Sequence, residues 1–148
     1  MTNTVTLTKI LHIREREKKD AQKAYQHAMD SFEDIATQLY TLLKKKEDAE
    51  KAYDHYLQST APIDRLKEQS NYIERLSQQI VHLQQKVQQA RNQMNGKQDQ
   101  LTKAHVEVKK FEKLIENREQ KQAARQKQME NIAMDETSVQ QFLSYQTR

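Results

Sequence analysis

With 148 residues, 35% of them apolar, one glycine and no tryptophan, the chain has too little apolar mass for a globular core, so its stability has to come from a narrow seam. Charged residues make up 31% and both signs are interleaved, so the net charge of +4 describes a solvated helix surface rather than a clustered basic face for nucleic acid. The absence of cysteine excludes a disulfide framework and thiolate chemistry, no stretch reaches the ~20 apolar residues of a membrane span, and Met1-Thr2-Asn3-Thr4-Val5-Thr6 lacks the basic start and apolar core of a secretory signal.

The first element is a long helix, about 5–58, marked by an apolar stripe at alternating three- and four-residue steps. It reads Leu7, Leu11, Ala21, Tyr25, Ala28, Phe32, Ile35, Leu39, Leu42, Ala49, Tyr53 and Tyr56, with Arg14, Lys18 and Lys46 as polar intrusions. This is a coiled-coil seam. The run Lys44-Lys45-Lys46 is followed at once by Glu47 and Asp48, so it reads as a solvated face.

One place looks like a turn, at about 59–62. Ser59-Thr60-Ala61-Pro62-Ile63-Asp64 combines small cap-capable residues with the sole proline, which the first turn of a helix tolerates because its N–H would be unpaired there. Asp64 and Glu68 put negative charge near the new helix N-terminus, where the helix dipole favours it.

The second helix runs from about 62 to about 143. Its seam is Ile73, Leu76, Ile80, Leu83, Val87, Ala90, Met94, Lys97, Leu101, Ala104, Val108, Phe111 and Ile115. Asn95-Gly96 offers a competing turn that would give a three-helix bundle, but the repeat crosses it unbroken, so a continuous helix is expected there. The glycine then costs about 1 kcal/mol against alanine and marks a soft spot.

So short a connection makes the helices antiparallel neighbours. Pairing positions whose numbers sum to about 122 sets Phe32 against Ala90, Ala28 against Met94, Ala49 against Ile73, Ala21 against Leu101 and Leu39 against Leu83, so large side chains mostly face small ones. The same register sets Tyr25 against Lys97. The expected fold is all-α: a long antiparallel two-helix coiled-coil hairpin over 1–148 as one unit, with the second helix longer and overhanging. The overhang amounts to about 30 residues, roughly 45 Å. Where the overlap ends, near 115–118, the seam changes to Arg118, Gln122 and Arg125, with Met129 and Ile132 beyond.

Such a segment is either a solvated tail or a probe that docks into another protein. Val139, Phe142, Leu143 and Tyr145 form an apolar cluster at its far end, suited to docking or to folding back on the first helix. No catalytic centre is legible. His12, His27, His55, His82 and His105 are scattered, with no two at i, i+3 or i, i+4, and there is no Gly-rich phosphate loop or nucleophile elbow. The expectation is a non-enzymatic chain with no cofactor and no metal.

The opening Leu7-Thr8-Lys9-Ile10-Leu11-His12-Ile13-Arg14-Glu15, the mid-chain Tyr72-Ile73-Glu74-Arg75-Leu76 and the late Lys110-Phe111-Glu112-Lys113-Leu114-Ile115-Glu116 resemble the flagellar export protein family FliJ. So does Met134-Asp135-Glu136 after a Lys/Arg/Gln-rich stretch. The resemblance covers the full length.

It implies a soluble component of the bacterial flagellar type III export apparatus, similar to the central stalk of rotary ATPases. The paired helix ends of such a protein insert in the hexameric ring of the export ATPase and promote its assembly. The body contacts the cytoplasmic domain of the export gate and the export chaperones. Carried to this sequence, the ATPase-ring contact is Ile10, Leu11, Arg14 and Lys18 with Lys113, Arg118, Lys121 and Arg125. The export-gate contact is Tyr40, Leu43, Tyr53, Tyr56, Tyr72 and Leu76, where Tyr53, Tyr56 and Leu76 also suit a structural role in closing the hairpin. The implied location is cytoplasmic, peripheral at the inner face of the cell membrane without direct insertion, and the isolated chain is expected to be a monomer. Rival readings are the stalk protein of a virulence type III secretion system and a generic homodimeric coiled-coil scaffold. A prefoldin-like chaperone would need β-hairpins between the helices, for which no alternating β-branched run is present.

Overall fold

Two helices carry the chain, α1 (Thr2–Gln58) and α2 (Ile63–Gln146), with no strand among the described residues. They come from a computed structural model that describes residues 2–146, with side chains from Thr4 onward. The fold is all-α, an antiparallel helical hairpin whose second helix, of 84 residues, is longer than the first, of 57. Two compact units divide it, and α1 and α2 contribute to both: residues 19–103, and residues 1–18 with 104–148.

In the unit 19–103 the chain reverses between Gln58 and Ile63. The Ser59 N–H donates to the His55 carbonyl at 3.1 Å, which ends α1 with a residual helical turn. The Pro62 carbonyl accepts from the N–H groups of Arg65 at 3.1 Å and Leu66 at 3.4 Å, so proline caps α2 from the position just outside it. No described residue has a positive φ, and the reversal therefore needs no glycine.

The seam of this unit follows the heptad steps. Ala21, Tyr25, Ala28, Phe32, Ile35, Leu39, Leu42, Lys46, Tyr53 and Tyr56 are half-buried on α1, and Ala49 is buried. Leu76, Ile80 and Ala90 are buried on α2, flanked by half-buried Ile73, Leu83, Val87, Met94, Lys97 and Leu101. Among the described residues no large side chain is less than 2% exposed, as two helices alone can shelter only one stripe.

Two contacts fix the register. The Arg91 guanidinium lies 5.7 Å from the Phe32 ring centroid, which places Phe32 beside the buried Ala90. Nearer the turn, the Gln69 side-chain amide donates to the Ala49 backbone carbonyl at 3.0 Å. Ala49 permits this because its small side chain lets another helix approach the α1 backbone, and it is only 6% exposed. Gly96 lies inside α2, which runs through Asn95-Gly96 without a break.

In the unit formed by 1–18 and 104–148, Leu7, Leu11, Arg14 and Lys18 are half-buried on α1. Val108, 3% exposed, is the most sheltered residue on the α2 side, among half-buried Ala104, Phe111 and Ile115. Beyond Ile115 every described residue of α2 is exposed. The shelter thus ends where the apolar seam gives way to Arg118.

Candidate functional site

At the residues expected to meet a ring, Arg14 is the organising side chain. It occupies a seam position, where its guanidinium lies 5.9 Å from the Phe111 ring centroid. One terminal nitrogen donates to both carboxylate oxygens of Glu17, at 3.0 and 3.1 Å. Its Nε is buried with no hydrogen-bond partner. A long cation at a seam position is sheltered along its stem and pays out its charge to a neighbouring carboxylate at the edge.

The expected residues divide into two groups. Ile10, Leu11, Arg14 and Lys18 are half-buried against α2 in the paired part of this unit. Lys113, Arg118, Lys121 and Arg125 are exposed. Arg118, Lys121 and Arg125 recur at three- and four-residue steps along one side of α2, so they form one basic stripe. Arg125 is 14 residues past Phe111 in the sequence, on the order of 21 Å along the helix axis. The stripe leads to exposed apolar residues, among them Met129 at 64%, Ile132 at 51%, Val139 at 57% and Phe142 at 62% exposure.

The unit 19–103 carries a second candidate surface. A shallow groove of about 480 Å³ is lined by Leu42, Arg75, Gln78, Gln79, His82 and Leu83. It continues toward the turn along Lys45, Tyr72 and Leu76, and onto α1 at Gln38 and Thr41. The Arg75 guanidinium sits 6.0 Å from the Tyr72 ring centroid, which holds both side chains at the rim.

Of the residues expected at a gate contact, Tyr72 and Leu76 line this groove, although Leu76 is only 5% exposed and belongs to the seam. Tyr53 and Tyr56 are half-buried seam residues closer to the turn. Tyr40 and Leu43 are exposed, and neither lines the groove. Leu42 does, and Leu43 lies a further ~100° around the helix, toward the opposite flank. The sequence reading missed Leu42 as anything but seam, and missed Arg75, Gln79 and His82. The available signal was that they surround Leu42 and Leu83 at the flanking heptad positions, where a seam residue is reached from the side.

Among the described residues no group of three His, Asp or Glu side chains is placed to hold a metal ion. No described helix is long and apolar enough to cross a membrane. The arrangement presents a shallow groove and an exposed helical segment with basic and apolar sections.

The sequence profile of a family described as Flagellar FliJ protein matches residues 3–147. A Flagellar FliJ protein of Bacillus subtilis (strain 168) is 36% identical over 135 residues, covering 91% of this chain and 92% of that protein. No solved structure matches.

Proposed function

The chain belongs to the flagellar FliJ protein family, and on that premise we propose that it works as a coiled-coil stalk in the flagellar type III protein export apparatus. In this reading it is a soluble, non-catalytic component that inserts in the ring of the export ATPase, promotes assembly of that ring, and links it to the cytoplasmic domain of the export gate and to export chaperones. The observation that carries the reading is the bare segment of α2. Every described residue past Ile115 is exposed, and the segment carries basic residues at seam positions before its apolar ones.

A lone helix with so little apolar burial gains no tertiary packing from its own chain, so a ring that surrounds it supplies what the hairpin does not. Arg118, Lys121 and Arg125, with Lys113 and the half-buried Ile10, Leu11, Arg14 and Lys18, are the residues proposed to meet the ring. The groove around Leu42, Tyr72, Arg75 and Gln79 is the surface proposed for the gate, with the exposed Tyr40 and Leu43 on the other flank available to a partner that wraps the hairpin.

The test is ATP hydrolysis and ring assembly by the export ATPase with and without this chain, and with Arg118 and Arg125 both changed to Glu. Stimulation by the native chain that falls several-fold in the double variant, with its helicity unchanged, supports the stalk. Equal stimulation by both chains removes the basic stripe from the contact. No stimulation by the native, folded chain removes the stalk role and leaves a gate-binding or scaffold protein.

A further inference from the structure

Past Ile115 the seam positions of α2 continue in unbroken three- and four-residue steps as Arg118, Gln122, Arg125, Met129, Ile132, Glu136, Val139 and Leu143. This is the phase in which Ala104, Val108, Phe111 and Ile115 are sheltered by α1. Four of the five seam positions from 129 to 143 are apolar, whereas Met134 and Tyr145 fall on other faces. From Arg118 to Val139 this exposed face is therefore a continuation of the α1–α2 seam that α1 does not shelter.

Its charges fall in two blocks. Residues 117–128 hold Arg118, Lys121, Arg125 and Lys127 against Glu119 alone. Residues 129–146 hold Glu130, Asp135 and Glu136 and no Lys or Arg. Among the described residues Arg118, Arg125 and Glu136 form no ion pair. A basic block followed by an acidic block of similar length is complementary to itself read backwards. Parallel self-pairing would instead set Arg118 on Arg118, Arg125 on Arg125 and Glu136 on Glu136.

We propose that this face of α2 pairs with the same face of a second copy, antiparallel, about a two-fold axis between Met129 and Ile132. Positions whose numbers sum to 261 then meet: Met129 with Ile132 at the centre, Arg125 with Glu136 on either side, and Gln122 with Val139 beyond them. Each heterotypic pair occurs twice, as two-fold symmetry requires. The paired stretch of 118–143 extends on the order of 39 Å and its seam is half polar, so the association is weak, with Kd of about 10–100 µM. The hairpin seam closes within one chain, so the isolated chain is a monomer, as expected, below that concentration range, and only this segment engages the second copy above it. If the stalk reading also holds, a self-paired molecule hides Arg118 and Arg125 from the ring, and the dimer is a held-back form that the ring competes apart.

Sedimentation of the full-length chain by itself tests the pairing without any export component. The native chain should rise from the monomer mass of 17.6 kDa toward twice that value as its concentration increases through the stated Kd range. Arg125→Glu and Glu136→Arg should each weaken association at least about tenfold, because each sets like charges together twice per dimer. The double exchange Arg125→Glu with Glu136→Arg should restore it to within about threefold of the native chain. A native chain that stays monomeric throughout overturns the proposal. So does association that the single exchanges leave intact, since that places the contact elsewhere, and so does a double exchange that fails to recover association while keeping its helicity.

Discussion

Gly96→Ala isolates the continuity of α2 from every other feature of the chain. Gly96 is exposed, no described residue of the chain has a positive φ, and a Cβ added at Gly96 meets nothing within 4 Å. The substitution therefore carries no steric cost, and what remains is the difference in helix propensity, about 0.8–1 kcal/mol in favour of alanine. Unfolding entropy near 60 °C is about 2.1 cal/mol/K per residue, so for 148 residues a gain of that size raises Tm by about 3 °C.

The paired substitution is Gly96→Pro, which removes an N–H from the helical ladder and clashes with the preceding turn, costing about 3 kcal/mol or more. Thermal and urea unfolding followed by far-UV circular dichroism should move in opposite directions for the two variants. If the chain instead turned at Asn95-Gly96, proline would be tolerated and alanine would give nothing or destabilise. A Gly96→Ala variant with unchanged or lowered stability, beside a Gly96→Pro variant near native, would sink the continuous helix. Amide exchange adds a local reading: a sharp minimum of protection across 94–98 marks a soft spot, and uniform protection removes it.

Leu76→Ala or Ile80→Ala should cost about 2–3 kcal/mol, the lower part of the range for buried aliphatic truncation, because the seam shelters these residues without enclosing them. Met129→Ala, 64% exposed, should change the free energy of urea unfolding by less than about 0.5 kcal/mol at concentrations where the chain is monomeric. Gln69→Met keeps the length of the side chain but removes the donor to the Ala49 carbonyl, and should lower stability by about 0.5–1.5 kcal/mol with helicity retained. No change would mean that bond contributes nothing to the register. Arg14→Leu removes the buried unpartnered Nε and lengthens the apolar seam, and should be neutral or stabilising by up to about 1 kcal/mol, whereas Arg14→Ala should destabilise. A loss of stability in Arg14→Leu comparable to that in Arg14→Ala would show that the contacts with Phe111 and Glu17 outweigh the orphaned group.

The helices and their seam were legible because one rule decides both. In a coiled coil the facing of a side chain follows from its residue number, so Leu7 to Tyr56 and Ile73 to Ile115 are sheltered by counting, including the cations Arg14, Lys18, Lys46 and Lys97. Size alone would have misplaced these four. The large-against-small pairing fixed Phe32 beside Ala90, but the arginine that lies over that ring is residue 91, a flanking position whose contacts depend on side-chain reach rather than on number. For the same reason Gln69 was not foreseen. Its bond to Ala49 needs a close backbone approach that a small residue permits but does not announce.

The candidate site was legible to a lesser degree, and unevenly. Tyr40 and Leu43 were grouped with Tyr72 by residue type and proximity to the turn, yet the groove opens on the flank of Gln38, Tyr72 and Gln79. Which flank of a hairpin offers a groove depends on how completely Leu42 and Leu83 fill the space between the helices, and periodicity carries no information on that. The bare segment of α2 is the opposite case. A seam position fixes the face on which its residue lies, whether that residue is polar or apolar. Arg118, Gln122 and Arg125 at those positions are exposed, whereas Arg14, Lys18, Lys46 and Lys97 at theirs are half-buried, so exposure and not polarity marks where α1 ceases to shelter the seam, and Met129, Ile132 and Val139 lie exposed in the same phase. On the proposed self-pairing the heptad marks the contact face of this helix past Ile115, and the charges set along that face decide which partner fits it.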